Sequence, residues 1–377
     1  MTTRRLPWAA LAYRPDADNP YPALTALRER APVARWDRTG GWAVSSYELA
    51  QAALRSADFA KDPPGAQHDG PAIPVSTLKS TLQRERIERL RAEIVDLSDK
   101  LAGQCVRRPT YDVLRHLAYP LTTGAICSLL GVPCSDREMV MPWARRLAPL
   151  FDGVEPQAQS IQPVIGRFNS YFSALTTSRA AHPKDDAISD LIAAGASIPA
   201  VPQAALFLFL AGQETTMNLI GNAALALIRH PEQLDLLRAD PAEIPSAVEE
   251  VLRWDPPLQR NIRVAQVDTE LGGQQIRAGE VLYVLVGATN RDPHQVDHPD
   301  DFDVSRSPNP HLTFGYGEYF CYGAALARLE AHLAIAALLR HGCDWDRVNV
   351  SYRWRRMANF RGLQELEITG RGRHVRP

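Results

Sequence analysis

Apolar side chains recur every three or four residues through most of this chain, which is the spacing of one face of an α-helix. One apolar stripe consists of Ile87, Leu90, Ile94, Leu97 and Leu101. It lies behind a predicted polar face that is rich in arginine, at Arg84, Arg86, Arg89 and Arg91. Further helices are predicted over about 111–130, 158–181, 202–229, 231–238, 243–254 and 323–341.

Strand-like patterns are fewer and fall in three short segments. They cover 41–45, 281–286 and 365–369, where β-branched and aromatic residues cluster or alternate beside turns. The 29 prolines concentrate between the helical segments, where rigid turns are needed. No internal repeat or low-complexity linker interrupts the sequence. We therefore predict a mainly α-helical fold with small β-sheets (α+β), in which residues 1–377 form a single domain.

Composition excludes several classes of protein. A net charge of −1 provides no basic field for nucleic acid or for anionic lipid. The five cysteines form no CxxC pair and are odd in number, which favours a reducing compartment over a disulfide-rich secreted protein. The first residues lack the apolar core of a signal peptide, and the longest apolar stretch is far shorter than the ~18 residues that span a bilayer. We expect a cytoplasmic protein without a membrane segment.

The strongest chemical signal is a glycine-rich stretch, FGYGEYFCYG, at residues 314–323. Glycine allows a backbone to turn tightly or to approach a flat ligand closely. Cys321 comes just before a predicted helix, whose unpaired N–H groups favour a thiolate. A buried thiolate with aromatic neighbours on such a loop can hold heme iron through sulfur. The alternative is a structural cysteine in a glycine-rich turn.

This stretch resembles the heme-binding loop of the cytochrome P450 superfamily, whose pattern is Phe-Gly-x-Gly-x-His/Arg-x-Cys-x-Gly. The resemblance implies that Cys321 is the axial ligand of heme b (iron protoporphyrin IX) and that Phe314, Gly315 and Gly323 lie beside the cofactor. Tyr319 stands where the family has a histidine or arginine that supports a heme propionate. A phenol donates one hydrogen bond there, but carries no charge.

A predicted helix carries a carboxylate and a guanidinium three residues apart, Glu250 and Arg253. Such a pair is often an ordinary surface ion pair. It also resembles the family's Glu-x-x-Arg motif, and Arg306 stands at the place of the second arginine. The resemblance implies a buried, bidentate charge network that fixes the cysteine loop. Arg263 matches the family arginine that pairs with a heme propionate, although it could also be a solvated residue at a strand edge.

Polar residues interrupt the apolar segment 202–229, and polar groups inside a buried helix need partners. Threonine can bond back to the i−4 carbonyl, so a harmless kink is one reading. The segment also resembles the family's distal helix, which implies that heme lies between this helix and the Cys321 loop. Ala211 and Gly212 would then adjoin the heme. Glu214 would relay protons, and Thr215 would hold the activated oxygen for protonation.

Segment 60–81 departs from the family pattern because it is much shorter than in relatives. Relatives carry here a loop that covers the substrate, followed by a histidine and an arginine that grip the propionates. Neither basic residue is present at the matching positions. Several prolines and glycines also oppose a long helix. We predict an open distal face and a helix that begins late, near 75–83.

The function implied is a heme-thiolate monooxygenase that inserts one oxygen atom from O2 into a small organic secondary metabolite, free or attached to a carrier. Electrons would come from NAD(P)H through a ferredoxin reductase and a ferredoxin, because the chain has no flavin or iron–sulfur segment. By analogy, Leu258, Asn261 and Phe360 would line the substrate pocket. Two alternatives stay open. One is oxidative cyclisation, coupling or rearrangement without net oxygen insertion, and the other is a non-catalytic recruitment module of the same fold.

Overall fold

The computed structural model describes residues 5–6, 18–36, 40–65, 75–151, 158–343, 345, 348–357 and 359–370. The α-helices among them are α1 (Tyr21–Arg30), α2 (Tyr47–Arg55), α3 (Val75–Ser80), α4 (Arg84–Val106), α5 (Tyr119–Leu129), α6 (Arg137–Phe151), α7 (Ala158–Ala181), α8 (Ala187–Ala193), α9 (Val201–Arg229), α10 (Pro231–Ala239), α11 (Ile244–Trp254), α12 (Val286–Thr289) and α13 (Ala324–Arg340). The strands are β1 (Arg5–Leu6), β2 (Val33–Trp36), β3 (Gly41–Val44), β4 (Phe59–Ala60), β5 (Thr110–Asp112), β6 (Arg260–Ala265), β7 (Thr269–Leu271), β8 (Gln274–Ile276), β9 (Val281–Leu285), β10 (Val348–Trp354) and β11 (Leu363–Gly370). The described part of the chain is therefore mainly helical, as predicted.

The described residues fall into two compact units. The first takes its residues from Met1–Gln67, Ser246–Cys321 and Trp354–Gly362. The second takes its residues from His68–Pro245, Tyr322–Arg353 and Leu363–Pro377. No helix in the described parts of the chain is long and apolar enough to cross a bilayer.

The first unit contains a six-stranded sheet in the order β1-β2-β3-β9-β6-β4. Its apolar core includes Trp42, Leu54, Phe59 and Leu282. Strand β6 runs antiparallel to β9 on one side and to β4 on the other. Because β6 is held on both sides, the residues along it have fixed positions.

The second unit is built around α9, which packs against α5, α7 and α13. A Cβ atom on Gly212 would lie 2.8 Å from Ile126 Cδ1, so this glycine allows α9 and α5 to approach closely. Phe168 stacks on Phe172, with ring centroids 4.2 Å apart, beside Phe209 of α9. A three-stranded sheet, β10-β11-β5, completes the unit.

Most predicted elements are present within one or two residues of their predicted bounds. Strand β9 ends one residue before the prediction because Val286 begins the short helix α12. The prediction of one helix over 111–130 is wrong at its start. Residues Thr110–Asp112 form β5, which pairs with β11, and Leu114–Ala118 form a π-helix before α5.

The predicted polar face of α4 is wrong at one position. Arg86 is buried, because its guanidinium donates to Asp190 at 2.6 Å and also pairs with Asp185 at 3.0 Å. Its charge is thus neutralised inside the second unit, while Arg84, Arg89 and Arg91 are exposed.

A helix begins at Val75 as predicted, but α3 ends at Ser80 and α4 begins only at Arg84. Residues 66–74 lie outside the described residues, so the predicted open distal face stays a prediction.

Candidate functional site

Two glycines shape the cysteine loop. Gly315 and Gly317 have φ angles of 73° and 69°, a left-handed conformation that side chains rarely adopt. A Cβ atom on Gly317 would also lie 2.9 Å from the carbonyl oxygen of Leu54, at the end of α2. The Cys321 N–H donates to the Phe314 oxygen at 2.8 Å, which closes the loop. Gly323 has an ordinary φ of −81° and is the N-cap of α13.

Cys321 is exposed in the chain without a bound cofactor, so its sulfur is accessible to a ligand. The turn at Gly317–Tyr319 and the residues after it lie at the surface, where Phe320 is 44% exposed. Three of the other cysteines are buried, and burial raises the pKa of Cys105 to about 11 and that of Cys127 to about 12. Cys134 is the other exposed cysteine, which makes it a natural control for Cys321.

Glu250 and Arg253 form a bidentate ion pair in which both side chains are 0% exposed. Arg253 Nε and Nη2 donate to the two Glu250 oxygens, each at 2.7 Å. Arg253 also donates to three backbone carbonyl oxygens, those of Asn290, Pro299 and Asp301. Arg306 Nε donates to Glu250 Oε1 at 3.2 Å. The three residues that the sequence singled out therefore meet in one buried, fully paired network.

This network is joined to the start of the cysteine loop. The side-chain oxygen of Asn290 accepts from the Leu312 N–H at 2.8 Å, and its amide donates to Thr313 Oγ1 at 2.9 Å. The Thr313 hydroxyl donates in turn to the carbonyl oxygen of Leu252 in α11. These bonds fix the backbone directly before Phe314.

Arg263 on β6 is also 0% exposed, yet it has no carboxylate partner among the described residues. Its Nη1 donates to Asn261 Oδ1 and to the Ile262 carbonyl, while Nε and Nη2 have no hydrogen-bond partner in the described part of the chain. Burial lowers the pKa of its guanidinium. A buried cation with unused donors is the arrangement expected for an anion-binding site.

A tyrosine and a lysine lie beside this arginine. The Arg263 guanidinium carbon lies 4.9 Å from the ring centroid of Tyr319, and Lys61 Nζ lies 5.3 Å from the same ring. Sequence reasoning missed Lys61, because 202 positions separate it from Arg263 in the chain and it matches no family motif.

The predicted catalytic residues lie on α9 in the second unit. Glu214 is 1% exposed and accepts from Asn218 Nδ2 at 3.3 Å. Thr215 is partly exposed, and its hydroxyl donates to the Ala211 carbonyl at 2.8 Å, the i−4 bond that the sequence suggested. Ala211 and Gly212 are partly exposed as well.

The three predicted pocket residues belong to the first unit. Leu258 and Phe360 face each other in an isolated antiparallel β-bridge, and Phe360 is buried. Asn261 instead holds Arg263 through its side-chain oxygen, and its amide lies near Gly315 of the cysteine loop. Asn261 therefore positions Arg263, and its place in a pocket wall stays a prediction.

Comparison with known proteins decides the family. A profile of the family Cytochrome P450 matches residues 176–346. The chain is 34% identical to the biotin biosynthesis cytochrome P450 of Bacillus subtilis (strain 168), in an alignment that covers 93% of this chain and 96% of that protein. The chain belongs to the cytochrome P450 family.

Solved P450 structures have the same fold. The crystal structure of P450BioI, in complex with an acyl carrier protein ligated with hexadec-9Z-enoic acid, is 34% identical, with a TM-score of 0.83 and coverage of 93% of this chain and 98% of that one. CxnD, a P450 for C–S bond formation in chuangxinmycin biosynthesis, is 29% identical, with a TM-score of 0.84 and coverage of 98% of both chains. Further relatives carry the names of hydroxylases and a monooxygenase. The protein is thus an oxidoreductase of the P450 monooxygenase class, which uses heme and O2.

The residues present fit a heme. Porphyrin carboxylates would supply the anion that the two unused Arg263 nitrogens lack. The glycine loop carries an exposed thiol that can act as a metal ligand. Cys321 is therefore a candidate iron ligand, and Arg263 is a candidate cation for the heme carboxylates.

Proposed function

We propose that this P450 inserts one oxygen atom from O2 into a small organic substrate, a secondary metabolite, with electrons from NAD(P)H delivered by a ferredoxin reductase and a ferredoxin. The observation that carries the proposal is the coexistence of Cys321 on its glycine loop with the unpaired buried cation of Arg263. When bound, heme supplies the chemistry that activates O2. The remaining roles fall to side chains of this chain.

Cys321 would hold the heme through its sulfur, and Arg263 would bind a heme carboxylate. Glu214 is almost fully buried and accepts a hydrogen bond from Asn218, so its carboxyl group is shielded from bulk water. The Thr215 hydroxyl donates to the Ala211 carbonyl at 2.8 Å, and the lone pairs of its oxygen can still accept a hydrogen bond from another group. We propose that Glu214 and Thr215 deliver protons during turnover.

The substrate is either a free small molecule or one attached to a carrier protein. The relative P450BioI, whose structure contains a ligated acyl carrier protein, supports the carrier-bound form. A second candidate reaction is bond formation without net oxygen insertion, which the likeness to CxnD supports. Turnover under 18O2 separates the two reactions, because only insertion leaves the label in the product. A cytoplasmic location and a single functional domain over 1–377 remain predictions.

Replacing Cys321 with serine tests the proposed heme ligation. The CO complex of the reduced wild-type protein should show the Soret shift of thiolate ligation, and Cys321→Ser should lose both this shift and all activity. The matched control is Cys134→Ser, which alters the other exposed cysteine and should leave the spectrum unchanged. A thiolate-type spectrum that survives in Cys321→Ser would show that the assignment is wrong.

Replacing Thr215 with alanine tests the oxygen-insertion cycle. Heme and substrate binding should change little, whereas the product formed per NAD(P)H should fall and peroxide should rise, because the hydroxyl acts only in proton delivery. Thr177→Ala is the matched control, since Thr177 makes the same i−4 hydrogen bond on α7 and is exposed. Unchanged coupling in Thr215→Ala would favour the reaction without oxygen insertion.

A further inference from the structure

We propose that Lys61 is the second cation of the porphyrin-carboxylate site in this P450, acting with Arg263 across the ring of Tyr319. The inference rests on the proposed heme binding and concerns a residue that the family pattern does not assign. Other cations that could bind the porphyrin carboxylates are missing from the sequence. Segment 60–81 has no histidine or arginine at the positions that match the family pattern, and Tyr319 replaces a third basic residue.

The sheet places Lys61 beside Arg263. In the antiparallel pairing of β4 with β6, Phe59 lies opposite Ala265 and Ala60 lies opposite Val264. The next residues in this register are Lys61 and Arg263.

Backbone bonds on both sides of Lys61 hold its position. The Gln266 N–H donates to the Asp58 oxygen at 2.7 Å, and Gln266 Nε2 donates to the Asp62 oxygen at 2.7 Å. Lys61 is therefore fixed at the end of a paired strand, although it belongs to the shortened segment.

Both cations lie against one aromatic ring. The Arg263 guanidinium carbon is 4.9 Å, and Lys61 Nζ 5.3 Å, from the Tyr319 ring centroid. Such distances are typical of cation–π contacts, which orient a cation but do not neutralise its charge. Two positive charges thus lie near one ring, and the Tyr319 side chain adds no charge of its own.

The electrostatic surroundings favour an anionic ligand at this point. The pKa of Lys61 is lowered, first by burial of its ammonium and then by the charge of Arg263, while Cys321 and Asp62 act in the opposite direction. The ammonium is partly shielded by its neighbours, but Lys61 as a residue is exposed, so a ligand can reach it. Arg263 has no carboxylate partner among the described residues, and a ligand with two carboxylates would relieve the repulsion between the two cations.

Heme release measures the role of Lys61 directly. The rate of heme transfer to excess apomyoglobin should rise about tenfold or more in Lys61→Gln, because a charge-assisted contact is lost. Lys61→Arg keeps the charge and should release heme at close to the wild-type rate. Lys100→Gln, which removes an exposed lysine from α4, is the control and should change nothing.

Heme dimethyl ester separates a carboxylate contact from a general structural effect. The ester has no propionate charge, so Lys61→Gln and the wild type should release it at equal rates. The proposal is overturned if Lys61→Gln releases heme b at the wild-type rate, or if its faster release persists with the ester. If Lys61→Gln releases heme b at the wild-type rate but the wild type shows a thiolate-type heme spectrum, only the role of Lys61 is wrong and the proposed function stands. If the wild type shows no thiolate-type heme spectrum, both the role of Lys61 and the proposed function are wrong.

Discussion

Two arginines of the first unit, Arg253 and Arg263, are equally buried and differ in what surrounds their charge. Both are 0% exposed. Arg253 has a bidentate carboxylate partner and three carbonyl acceptors, whereas Arg263 has two bonds from one nitrogen and two nitrogens without partners among the described residues. The complete set of partners marks a residue that holds the fold. The incomplete set suits a residue that binds an anionic ligand, which is the role that we propose for Arg263.

The difference matters because arginine cannot escape burial by losing its proton. A buried, unpaired charge is unfavourable by several kcal/mol, so a protein retains one only where a partner arrives from elsewhere. Glu330 on α13 shows the contrasting behaviour of a carboxyl group. It is buried, its Oε2 has no partner among the described residues, and burial raises its pKa well above the ordinary value, so it can become neutral instead.

The largest effect on stability is expected from breaking the paired network. Arg253→Met removes the bidentate partner of the buried Glu250 and leaves only the longer bond from Arg306 as an ion pair, so it should lower the free energy of unfolding of the heme-free protein by about 3–5 kcal/mol. Urea denaturation followed by circular dichroism measures this change. The control is Arg353→Met, which removes an exposed pair with Glu365 and should cost less than about 1 kcal/mol. Similar losses in the two variants would contradict the assigned role of Arg253.

A smaller loss is expected at the edge of the same network. Arg306 makes one bond to Glu250 at 3.2 Å and bonds to the carbonyl oxygens of Asp297, His298 and Asp301, and its side chain is 11% exposed. Arg306→Met leaves the Glu250–Arg253 pair in place and should destabilise the protein by about 1–3 kcal/mol. If Arg306→Met lowers the free energy of unfolding as much as Arg253→Met in the same assay, the number of partners of each arginine does not determine its contribution to stability.

The smallest effect on stability is expected at Glu330, whose carboxyl group can become neutral by binding a proton. The folded-state pKa of Glu330 is raised, so protonation of this carboxyl group stabilises the folded state. This stabilisation is fully present below the unfolded-state pKa of about 4.3 and is lost as pH rises towards the folded-state pKa. Glu330→Gln cannot ionise, so its unfolding free energy should decline less than that of the wild type between pH 5 and pH 8. Identical pH profiles for the two proteins would show that Glu330 is not held neutral.

The periodic elements and the charge network could be predicted from the sequence. Helix α7 has the predicted bounds, whereas Glu250, Arg253 and Arg306 were found through their resemblance to a motif of the P450 family. Such patterns depend on neighbours along the chain, which a sequence displays directly.

Features that depend on distant contacts could not be predicted. The pairing of β4 with β6 brings Lys61 close to Arg263, and a side-chain hydrogen bond joins Asn261 to Arg263. Arg86 was predicted to lie on the surface because its ion-pair partners, Asp185 and Asp190, are about a hundred positions away in the sequence.

The most direct test of the contrast between the two arginines is the free energy of unfolding of Arg263→Met, measured with and without heme beside the wild type. Removing an unpaired buried cation should leave the heme-free variant at least as stable as the wild type. Heme should then stabilise the variant less than the wild type, because a ligand stabilises the folded state according to its affinity. The account is contradicted if the heme-free variant loses as much stability as Arg253→Met while heme stabilises variant and wild type equally.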